Sequence, residues 1–371
     1  MGNLDSLVYH GHEYDENYSM GITLQWHLTV ACDQKCKHCY MFNDSTYISQ
    51  RDNQLTTVQA YKLIDEFAGL LRKLKTTGTI NLTVGDPLLS NNFWNVLQYI
   101  PNHSDVLNIG AIMGNSYHVD DTIAGKLKMF NISQYQISLY GMEDTHDYIR
   151  KPGSFKDALR ALKCLHDTGI GATVMATVNK YNCGEILELY KYLSEIEYID
   201  SFRFDRMIPI GNAIKELSKE IVDTEEYRNL MLQLFQYEIT ESPRKILAYK
   251  DSLWKPLFYE MGLSNPLGAK NKNYRYACPA GGSHFCVLSD GTIYACRRLE
   301  IKAGKYPDES LESIFYNSSL FNNLRLYSYD DNCAECKLQH YCYGCPAMKY
   351  SINGTINGQD PNCWHNMCVG C

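Results

Sequence analysis

The sequence has no long hydrophobic run, because none of its stretches approaches the ~18 uninterrupted apolar residues of a membrane helix. Its start, MGNLDSLVYHGHEYDENYSM, contains neither the basic region nor the apolar core of a secretion signal. Positive charge is also scarce, since 35 Lys and Arg against 42 Asp and Glu give a net charge of −7. That balance lacks the footprint of a general nucleic-acid binder. We therefore expect a cytoplasmic protein with neither membrane nor nucleic acid among its partners.

The length and composition indicate a globular chain with a sizeable core. The 371 residues correspond to two or three domains at roughly 150 residues each, and 45% of them are hydrophobic against 21% charged. Through the first 210 residues, apolar runs alternate with amphipathic stretches, which is typical of βα units around a parallel sheet. The sequence thus predicts an α/β fold with strands at 24–30, 79–84, 106–113, 134–139, 172–179 and 201–208 and helices at 57–73, 91–99, 120–129, 155–168 and 183–195.

The character of the chain changes after the sixth predicted strand. Residues 223–263 have a helical pattern, and the chain after 265 is rich in Gly, Cys, Tyr and Asn. A hairpin is predicted over 285–297, with its turn at Ser289, Asp290 and Gly291. This last region has too few apolar stretches for a core of its own and would need metal or clusters to hold it together. We expect an N-terminal extension at 1–20, a core domain at 21–215, a helical connector at 216–270 and a cysteine-rich domain at 271–371.

Cysteine is unusually abundant and unevenly placed. Of 15 cysteines, three fall between Cys32 and Cys39 and ten between Cys278 and Cys371. An odd, clustered set with CxxC spacings, in a chain without a secretion signal, favours metal or cluster binding over disulfides. Cys164 and Cys183 stand apart on predicted helices and are interpreted as packing residues.

The first cysteine motif is CxxxCxxC, formed by Cys32, Cys36 and Cys39 directly after the first predicted strand. Three thiolates on one loop can hold three irons of a four-iron cluster and leave the fourth iron open to a substrate or cofactor. The alternative is zinc, which usually takes four closed ligands, with His38 as the fourth. The spacing alone leaves both interpretations open.

This motif, followed by the aromatic Tyr40 at the end of the first strand of a βα array, resembles that of the radical S-adenosylmethionine (SAM) superfamily. The resemblance implies a partial (β/α)6 TIM-like barrel and a cluster whose open iron binds the amino and carboxylate groups of SAM. It further implies that an electron, supplied by a flavodoxin or ferredoxin, cleaves SAM to a 5′-deoxyadenosyl radical. That radical abstracts hydrogen from an unactivated carbon of the substrate.

Further positions extend the resemblance to SAM binding. Val84-Gly85-Asp86-Pro87 resembles the family's GGEP loop, although the sequence is also ordinary turn chemistry. QISLYG resembles the family's SLDG segment, and an arginine twelve residues later matches one that pairs with the SAM carboxylate, for which a guanidinium is well suited. Met41 and Phe42 are candidate walls for the adenine. The SAM-binding residues implied by the resemblance are Tyr40, Gly85, Asp86, Ser138, Arg150, Thr177 and Asn179.

The C-terminal cysteines resemble the SPASM domain, which usually carries two auxiliary four-iron clusters. The matching pattern is Cys278-x12-Gly291-x4-Cys296, then Cys333-x2-Cys336-x5-Cys342-x2-Cys345, then Cys363, with x2 where the family usually has x3. Zinc is again the alternative. With the SAM cluster, the resemblance implies three 4Fe-4S clusters. It places Cys278, Cys296 and Cys345, with Cys286 as fourth ligand, on the first auxiliary cluster and Cys333, Cys336, Cys342 and Cys363 on the second.

Proteins of this architecture mostly modify ribosomally synthesised peptides, so the resemblance implies a peptide maturase. Two auxiliary clusters suit an oxidative product, because removal of a second electron needs an acceptor; a thioether crosslink is the leading expectation. The alternatives are a radical epimerase, with Cys368 or Cys371 as hydrogen donor, a sulfatase maturase that makes formylglycine, and a non-catalytic iron–sulfur electron carrier. About 23 residues precede the first strand, too few for a leader-binding domain, so leader recognition would fall to a separate protein or to the core, or the substrate would have no leader.

Overall fold

The computed structural model describes residues 21–42, 47–217, 219–263, 278–326, 333–334, 336–338 and 341–365. Its centre is one ten-stranded sheet in the order β10-β9-β8-β1-β2-β3-β4-β5-β6-β7. Strand β8 and the strands β1 to β7 pair in parallel with their neighbours in this order. Strand β9 pairs antiparallel with both β8 and β10. The strands are β1 Ile22–His27, β2 Gly78–Thr83, β3 Leu107–Met113, β4 Gln134–Ser138, β5 Gly171–Val178, β6 Ser201–Arg206, β7 Leu247–Ala248, β8 His284–Val287, β9 Thr292–Tyr294 and β10 Lys302–Lys305.

Helices connect the parallel strands, which confirms the α/β class, and a sheet with two free edges agrees with a partial barrel. The described helices are α1 Tyr47–Asp52, α2 Thr57–Lys73, α3 Phe93–Tyr99, α4 Asp121–Met129, α5 Glu143–Ile149, α6 Ser154–Asp167, α7 Ile186–Ser194, α8 Asn212–Glu216, α9 Thr224–Thr240, α10 Trp254–Glu260, α11 Leu311–Asn317, α12 Ser319–Arg325 and α13 Pro346–Asn353. Among the described helices, none is long and apolar enough to cross a membrane.

Helix α2 shows why the sequence specifies these elements well. Thr56 precedes it as N-cap and accepts from the backbone N–H of Gln59, whose side chain in turn accepts from the N–H of Thr56. This reciprocal capping box satisfies two backbone donors that the first turn leaves unpaired. Leu63 and Phe67 lie on its buried face, so hydrophobic burial fixes how the helix packs.

The predicted hairpin is confirmed, but its place in the fold differs from the expectation of a region held together by clusters alone. Strand β8 pairs with β1 in parallel, with Gln25 opposite Cys286, and so extends the sheet of the N-terminal units. Phe285 packs edge-to-face on Phe67 of α2, and both belong to one continuous hydrophobic core. Short strands with few apolar residues can therefore be stabilised by a sheet built elsewhere in the chain.

The parallel strands place their carboxyl ends along one edge of the sheet. The loops that follow β1, β2 and β4 carry Cys32, Gly85 and Tyr140, and all three line one cavity there. In open α/β sheets this edge is the usual site of ligand binding. The fold thus brings together motifs that are far apart in the sequence.

Candidate active site

The three cysteines of the CxxxCxxC motif lie on one loop at the carboxyl end of β1 and face a cavity of about 160 Å³. Backbone hydrogen bonds fix this loop from three sides. The carbonyl of Ala31 accepts from Asp86 at 2.7 Å, the N–H of Lys37 donates to Ile149 at 3.0 Å, and the carbonyl of Cys39 accepts at 2.9 Å from the first residue of α8. The loop is therefore ordered by the protein fold itself.

The thiols of this loop are largely removed from water, which favours their neutral form. Burial raises the pKa of Cys32 to about 11 and that of Cys39 to about 12. Two groups are placed to stabilise thiolates: the N–H of Gln34 lies 3.4 Å from Sγ of Cys32, and Nε of Arg150 lies 3.4 Å from Sγ of Cys36. Metal binding would displace the thiol protons, as it does in other thiolate sites.

The spacing of the ligand atoms argues against one closed zinc ion. At Zn–S distances of about 2.3 Å, the ligands of one zinc lie within roughly 4 Å of one another. In the part of the chain that the structure describes, no trio of cysteine sulfurs lies within 4.8 Å. His38 packs edge-to-face on Tyr140 with ring centroids 4.3 Å apart, and burial lowers its pKa to about 3. The donor set and its width fit a larger, thiolate-bound cluster better than zinc.

The structure gathers five of the seven residues predicted to bind SAM. The lining of the 160 Å³ cavity includes the three cysteines, Met41 and Phe42, together with Tyr40, Gly85, Ser138, Arg150 and Thr177. The cavity thus combines sulfur ligands, hydroxyl groups and an arginine. A cofactor with a carboxylate, a ribose and an aromatic base matches these groups.

Asp86 and Asn179 do not line that cavity. Asp86 is buried beside Asp33 and His118, with ligand atoms of all three within 4.8 Å of one another, and burial raises its pKa to about 7. Asn179 and Asn182 exchange backbone-to-side-chain hydrogen bonds of 2.8 and 3.2 Å at the end of β5. Both predicted residues therefore lie outside the cavity lining, where their hydrogen bonds stabilise the adjoining loops.

The turn after β2 brings its backbone unusually close to the cysteine loop. Gly85 has φ +61°, and an added Cβ would lie 2.7 Å from the carbonyl oxygen of Thr29 and nearer still to that of Ala31. Val84 also has a positive φ, +70°, which is rare for a β-branched residue. Only glycine satisfies both the left-handed conformation and the close approach at position 85.

We expect Gly85→Ala to displace the cysteine loop, since the methyl group meets two carbonyl oxygens. Gly153→Ala is the matched control, because Gly153 has φ +82° but no atom within 4 Å of an added Cβ. The control should lose only about 1 kcal/mol from backbone strain, with SAM affinity retained. The Gly85 variant should lose at least tenfold in SAM affinity, measured by equilibrium binding under anaerobic conditions. Equal affinities for the two variants would show that the close approach is unimportant.

A second, larger cavity of about 550 Å³ adjoins the first and holds the predicted ligands of the first auxiliary cluster. Cys278, Cys296 and Cys345 all line it, although they come from three segments of the C-terminal region. Burial raises the pKa of Cys278 to about 12 and that of Cys345 to about 11, so these thiols too are neutral before metal binds. The structure brings together three of the four predicted cysteines.

Cys286, the predicted fourth ligand, is not part of that lining. It is fully buried on β8, and its Sγ lies 3.2 Å from Nε2 of His27 on the neighbouring β1. Leu288 and Tyr294 complete its apolar surroundings. The structure therefore separates Cys286 from the other three cysteines and places it in the interior between strands.

The second auxiliary set converges on a separate, small cavity of about 20 Å³. Its lining contains all four predicted cysteines: Cys333, Cys336, Cys342 and Cys363. Backbone N–H groups of Leu338 and Gly344 lie 3.4 and 3.3 Å from the sulfurs of Cys336 and Cys342. Such donors stabilise thiolates. Cys368 and Cys371, the predicted hydrogen donors, lie outside the described residues.

Comparisons with known proteins match two parts of the chain to family models. The family model described as "Radical SAM superfamily" matches residues 26–193, and the SPASM model, described as an iron–sulfur cluster-binding domain, matches residues 278–346. The chain carries a radical SAM domain and a SPASM domain. The resemblance seen in the sequence is confirmed, and these domains imply SAM and iron–sulfur clusters as cofactors of an enzyme.

Relatives of the radical SAM enzyme include two differently named groups. The AdoMet-dependent heme synthase of Nitratidesulfovibrio vulgaris is 23% identical over 92% of this chain and 91% of its own. The mycofactocin maturase MftC of Mycolicibacterium smegmatis is 26% identical over 95% of this chain and 84% of its own. At these identities the relatives differ in their named activities while sharing nearly the whole length.

Solved structures show the same fold. Streptococcus suis SuiB bound to S-adenosylmethionine superposes with a TM-score of 0.71 at 17% identity, covering 93% of this chain and 78% of that one. The anSMEcpe structure with bound AdoMet gives a TM-score of 0.70 at 17% identity, covering 92% and 94%. These likenesses establish the shared architecture of the radical SAM and SPASM parts.

The radical SAM enzyme also has a set of charged residues that sequence reasoning missed. On β6, Phe202 and Phe204 are buried in the core, whereas Arg203 and Asp205 alternate with them and face the 550 Å³ cavity. The alternation Phe-Arg-Phe-Asp over 202–205 was the available signal, since a strand places successive side chains on opposite faces. The cavities share seven lining residues and are therefore continuous: Met113, Gln136, Asp205, Arg206, Ile208, Arg297 and Arg298.

Arg206 joins the radical SAM part to the SPASM part through a buried network. Its guanidinium donates to Asp251 at 2.9 and 3.1 Å, to Asp360 at 2.6 and 3.0 Å and to Asn362 at 3.1 Å. Asp360 in turn accepts at 2.8 Å from the N–H of Cys345, a predicted cluster ligand. One arginine thus connects the end of β6, the connector and a cysteine of the first auxiliary set.

Proposed function

We propose that this enzyme is a peptide maturase that oxidises a ribosomally synthesised peptide, with a thioether crosslink as the leading product. The observation that carries the proposal is the 550 Å³ cavity between the CxxxCxxC cysteines and the first auxiliary cysteines. A substrate in this cavity lies between the groups that start a radical reaction and those that can accept an electron. Aromatic side chains for holding residues of a peptide line it: Tyr249, Trp254, Phe258 and Tyr341.

The proposed cofactors are SAM and three 4Fe-4S clusters, one at the SAM site and two auxiliary. Cys32, Cys36 and Cys39 would hold the SAM cluster, and Cys333, Cys336, Cys342 and Cys363 the second auxiliary cluster. For the first auxiliary cluster we propose Cys278, Cys296 and Cys345, without Cys286, which leaves one iron for another ligand. About 12 irons per chain are then expected from anaerobically prepared protein, three clusters of four. Stoichiometric zinc in the C-terminal region would contradict this assignment.

Bound SAM would supply the hydrogen-abstracting radical, and the auxiliary clusters would accept the second electron. The chain's own residues would do the rest. Arg150 and Ser138 offer a cation and a hydroxyl to the SAM carboxylate and ribose, and Gly85 gives the cofactor access to backbone. Met113 and Ile208 line both cavities and supply apolar surface where they meet.

An oxidative crosslink has a defined balance. One hydrogen atom leaves a substrate carbon, one proton leaves the cysteine thiol of the peptide, and one electron passes to an auxiliary cluster as the carbon–sulfur bond forms. The peptide therefore loses two hydrogens per crosslink. The proposed partners are a precursor peptide, an electron donor of the flavodoxin or ferredoxin type and a separate leader-recognition protein. We also propose that the domains of the chain meet at residues 20, 215 and 270.

One other substrate class has specific support. Three relatives carry the name AdoMet-dependent heme synthase, and one is named Fe-coproporphyrin III synthase, at 25% identity over 91% of this chain. A tetrapyrrole is the second candidate substrate because its carboxylates suit a cationic cavity. Incubation of the reduced enzyme with SAM and Fe-coproporphyrin III separates the two candidates, since decarboxylated porphyrin in the product would favour the second.

The test of the peptide proposal is anaerobic co-expression of the enzyme with a small candidate peptide encoded beside its gene. We expect each modification to lower the peptide mass by two hydrogens, and fragmentation to locate the bond. The Cys39→Ala enzyme is the control and should leave the mass unchanged. An unchanged mass with deuterium uptake from solvent would instead indicate epimerisation, and conversion of one cysteine to formylglycine would indicate a sulfatase maturase. No change of any kind would contradict the peptide proposal.

A further inference from the structure

We propose that Arg203 binds a carboxylate group of the substrate inside the 550 Å³ cavity, so that this enzyme selects an acidic peptide end or side chain. The inference rests on the proposed peptide substrate and adds a recognition group to it. The carboxylate can come from the C-terminus of the peptide or from an Asp or Glu side chain. Both present the same planar anion.

Arg203 is held in the cavity by the strand that carries it. It lies near the middle of β6, paired with Met175 of β5 on one side and with Ala248 of β7 on the other. Its neighbours Phe202 and Phe204 are fully buried in the hydrophobic core. Because successive side chains of a strand point to opposite faces, core packing of the two phenylalanines directs Arg203 into the cavity.

The other cationic groups of the cavity wall have internal acidic or aromatic partners. Lys250 and Arg298 both pair with Asp205, at 2.7 and 3.2 Å, and Arg206 pairs with Asp251 and Asp360. Lys255 and Arg297 lie over the rings of Tyr341 and Tyr40, at 5.6 and 5.4 Å. The cationic members of the cavity lining are Arg203, Arg206, Lys250, Lys255, Arg297 and Arg298, against the carboxylates Asp205 and Asp251.

Arg203 differs from all of them. Within the described parts of the chain it has no hydrogen-bond, ion-pair or cation–π partner, and its Nε is buried without an acceptor. Burial alone lowers the pKa of Arg203. Arg298 has Asp205 as its partner, and the charge of Arg203 is left for another anion.

A partly buried guanidinium without an anion is costly, because it loses hydration and gains no pairing. Its planar fork of N–H donors matches a carboxylate with two parallel hydrogen bonds, which neutral amide groups cannot replace. Gln25, Asn81 and Gln136 also line this cavity and supply amides for the polar backbone of a peptide. Arg203 is therefore placed to bind the carboxylate of the peptide, and the three amide side chains are placed to bind its uncharged backbone groups.

The experiment measures, by fluorescence anisotropy, binding of the candidate peptide that the co-expression test identifies as substrate to the anaerobic, cluster-loaded enzyme. Wild type, Arg203→Gln and Arg203→Lys are compared, with Arg228→Gln as matched control, since Arg228 pairs with Glu260 at the surface. Each enzyme is tested with the native peptide, a C-terminally amidated peptide, and peptides with single Asp→Asn or Glu→Gln changes.

We expect Arg203→Gln to weaken binding of the native peptide by about 10- to 150-fold, the range of a charge-assisted hydrogen-bond pair. Arg203→Lys should recover part of the loss, and Arg228→Gln should bind like wild type. One neutralised peptide should weaken binding to wild type by a similar factor and show no further loss with Arg203→Gln, which identifies the source of the carboxylate.

The outcomes distinguish the role of Arg203 from the proposed peptide substrate. If the native peptide binds wild type and Arg203→Gln equally, the role of Arg203 is overturned and the peptide proposal stands. If every neutralised peptide binds wild type as tightly as the native one, the role is likewise overturned, whatever the folding of the variants. If the native peptide does not bind wild type at all, the proposed function itself fails.

Discussion

Replacement of Cys36 by alanine is expected to remove about four irons per chain and to abolish reductive SAM cleavage. Cys36 is the central cysteine of the CxxxCxxC loop, it is buried, and its sulfur lies 3.4 Å from Nε of Arg150. Two remaining thiolates cannot hold a four-iron cluster stably, because each protein-bound iron needs its own ligand. The measurement is iron and sulfide per chain, together with the yield of 5′-deoxyadenosine after reduction with dithionite.

Two other cysteines provide matched controls for this change. Cys183 is equally buried but packs in the hydrophobic core, away from every cysteine cavity described above, and Cys286 lies against His27. Cys183→Ala and Cys286→Ala should both keep about 12 irons per chain and retain SAM cleavage. Loss of about four irons in Cys286→Ala would restore it as a ligand of the first auxiliary cluster and correct our assignment. Full SAM cleavage by Cys36→Ala would refute the role of the CxxxCxxC loop.

Local signals in the sequence were sufficient to predict most of the N-terminal fold. The bounds of α2 agree with the prediction to the residue, because its capping box and apolar face are both encoded within 56–73. The six predicted strands all exist, with ends that differ from the prediction by at most three residues. A parallel strand that is buried on both faces is a continuous apolar run, so each strand can be recognised in the sequence without knowledge of the strands it pairs with.

The unpredicted features are those that depend on distant contacts. The place of β8 beside β1 follows from packing of Phe285 on α2, which is more than 200 residues away in the chain. The same pairing buries Cys286 against His27, apart from the three cysteines with which the family resemblance groups it. Asp86 was assigned to SAM from its motif, but the backbone of Gly85 faces the cavity while the Asp86 side chain turns to Asp33. Side-chain direction within a turn was not available from the residue types.

The Arg206 network also depends on distant contacts, since its partners come from positions 251, 360 and 362. Arg206→Met is expected to lower the free energy of unfolding by about 3–5 kcal/mol, because it leaves the carboxylates of Asp251 and Asp360 buried without their cation. Arg228→Met is the control, since its pair with Glu260 is partly exposed and its loss should cost at most about 1 kcal/mol.

The loss of stability in Arg206→Met should grow as the pH rises, whereas a loss of packing alone would not depend on pH. In wild type, Asp251 is buried, yet the guanidinium of Arg206 and the hydrogen bonds to Asp251 hold its pKa below the usual value. That lowered pKa stabilises the fold above the unfolded value of about 4, and the stabilisation is lost as the pH falls. In the variant, burial without a cation raises the pKa of Asp251, so its contribution is present at low pH and is lost as the pH rises.

The difference in stability between wild type and Arg206→Met should therefore be largest near pH 8 and shrink toward pH 5. It is measured by urea unfolding of the anaerobic, cluster-loaded proteins at both values, and comparison of the two proteins at each pH cancels effects common to their clusters. A difference independent of pH would mean that lost packing outweighs the unpaired charge. Because Asp360 also accepts the N–H of Cys345, we expect the variant to lose iron from the first auxiliary cluster first, before global unfolding begins.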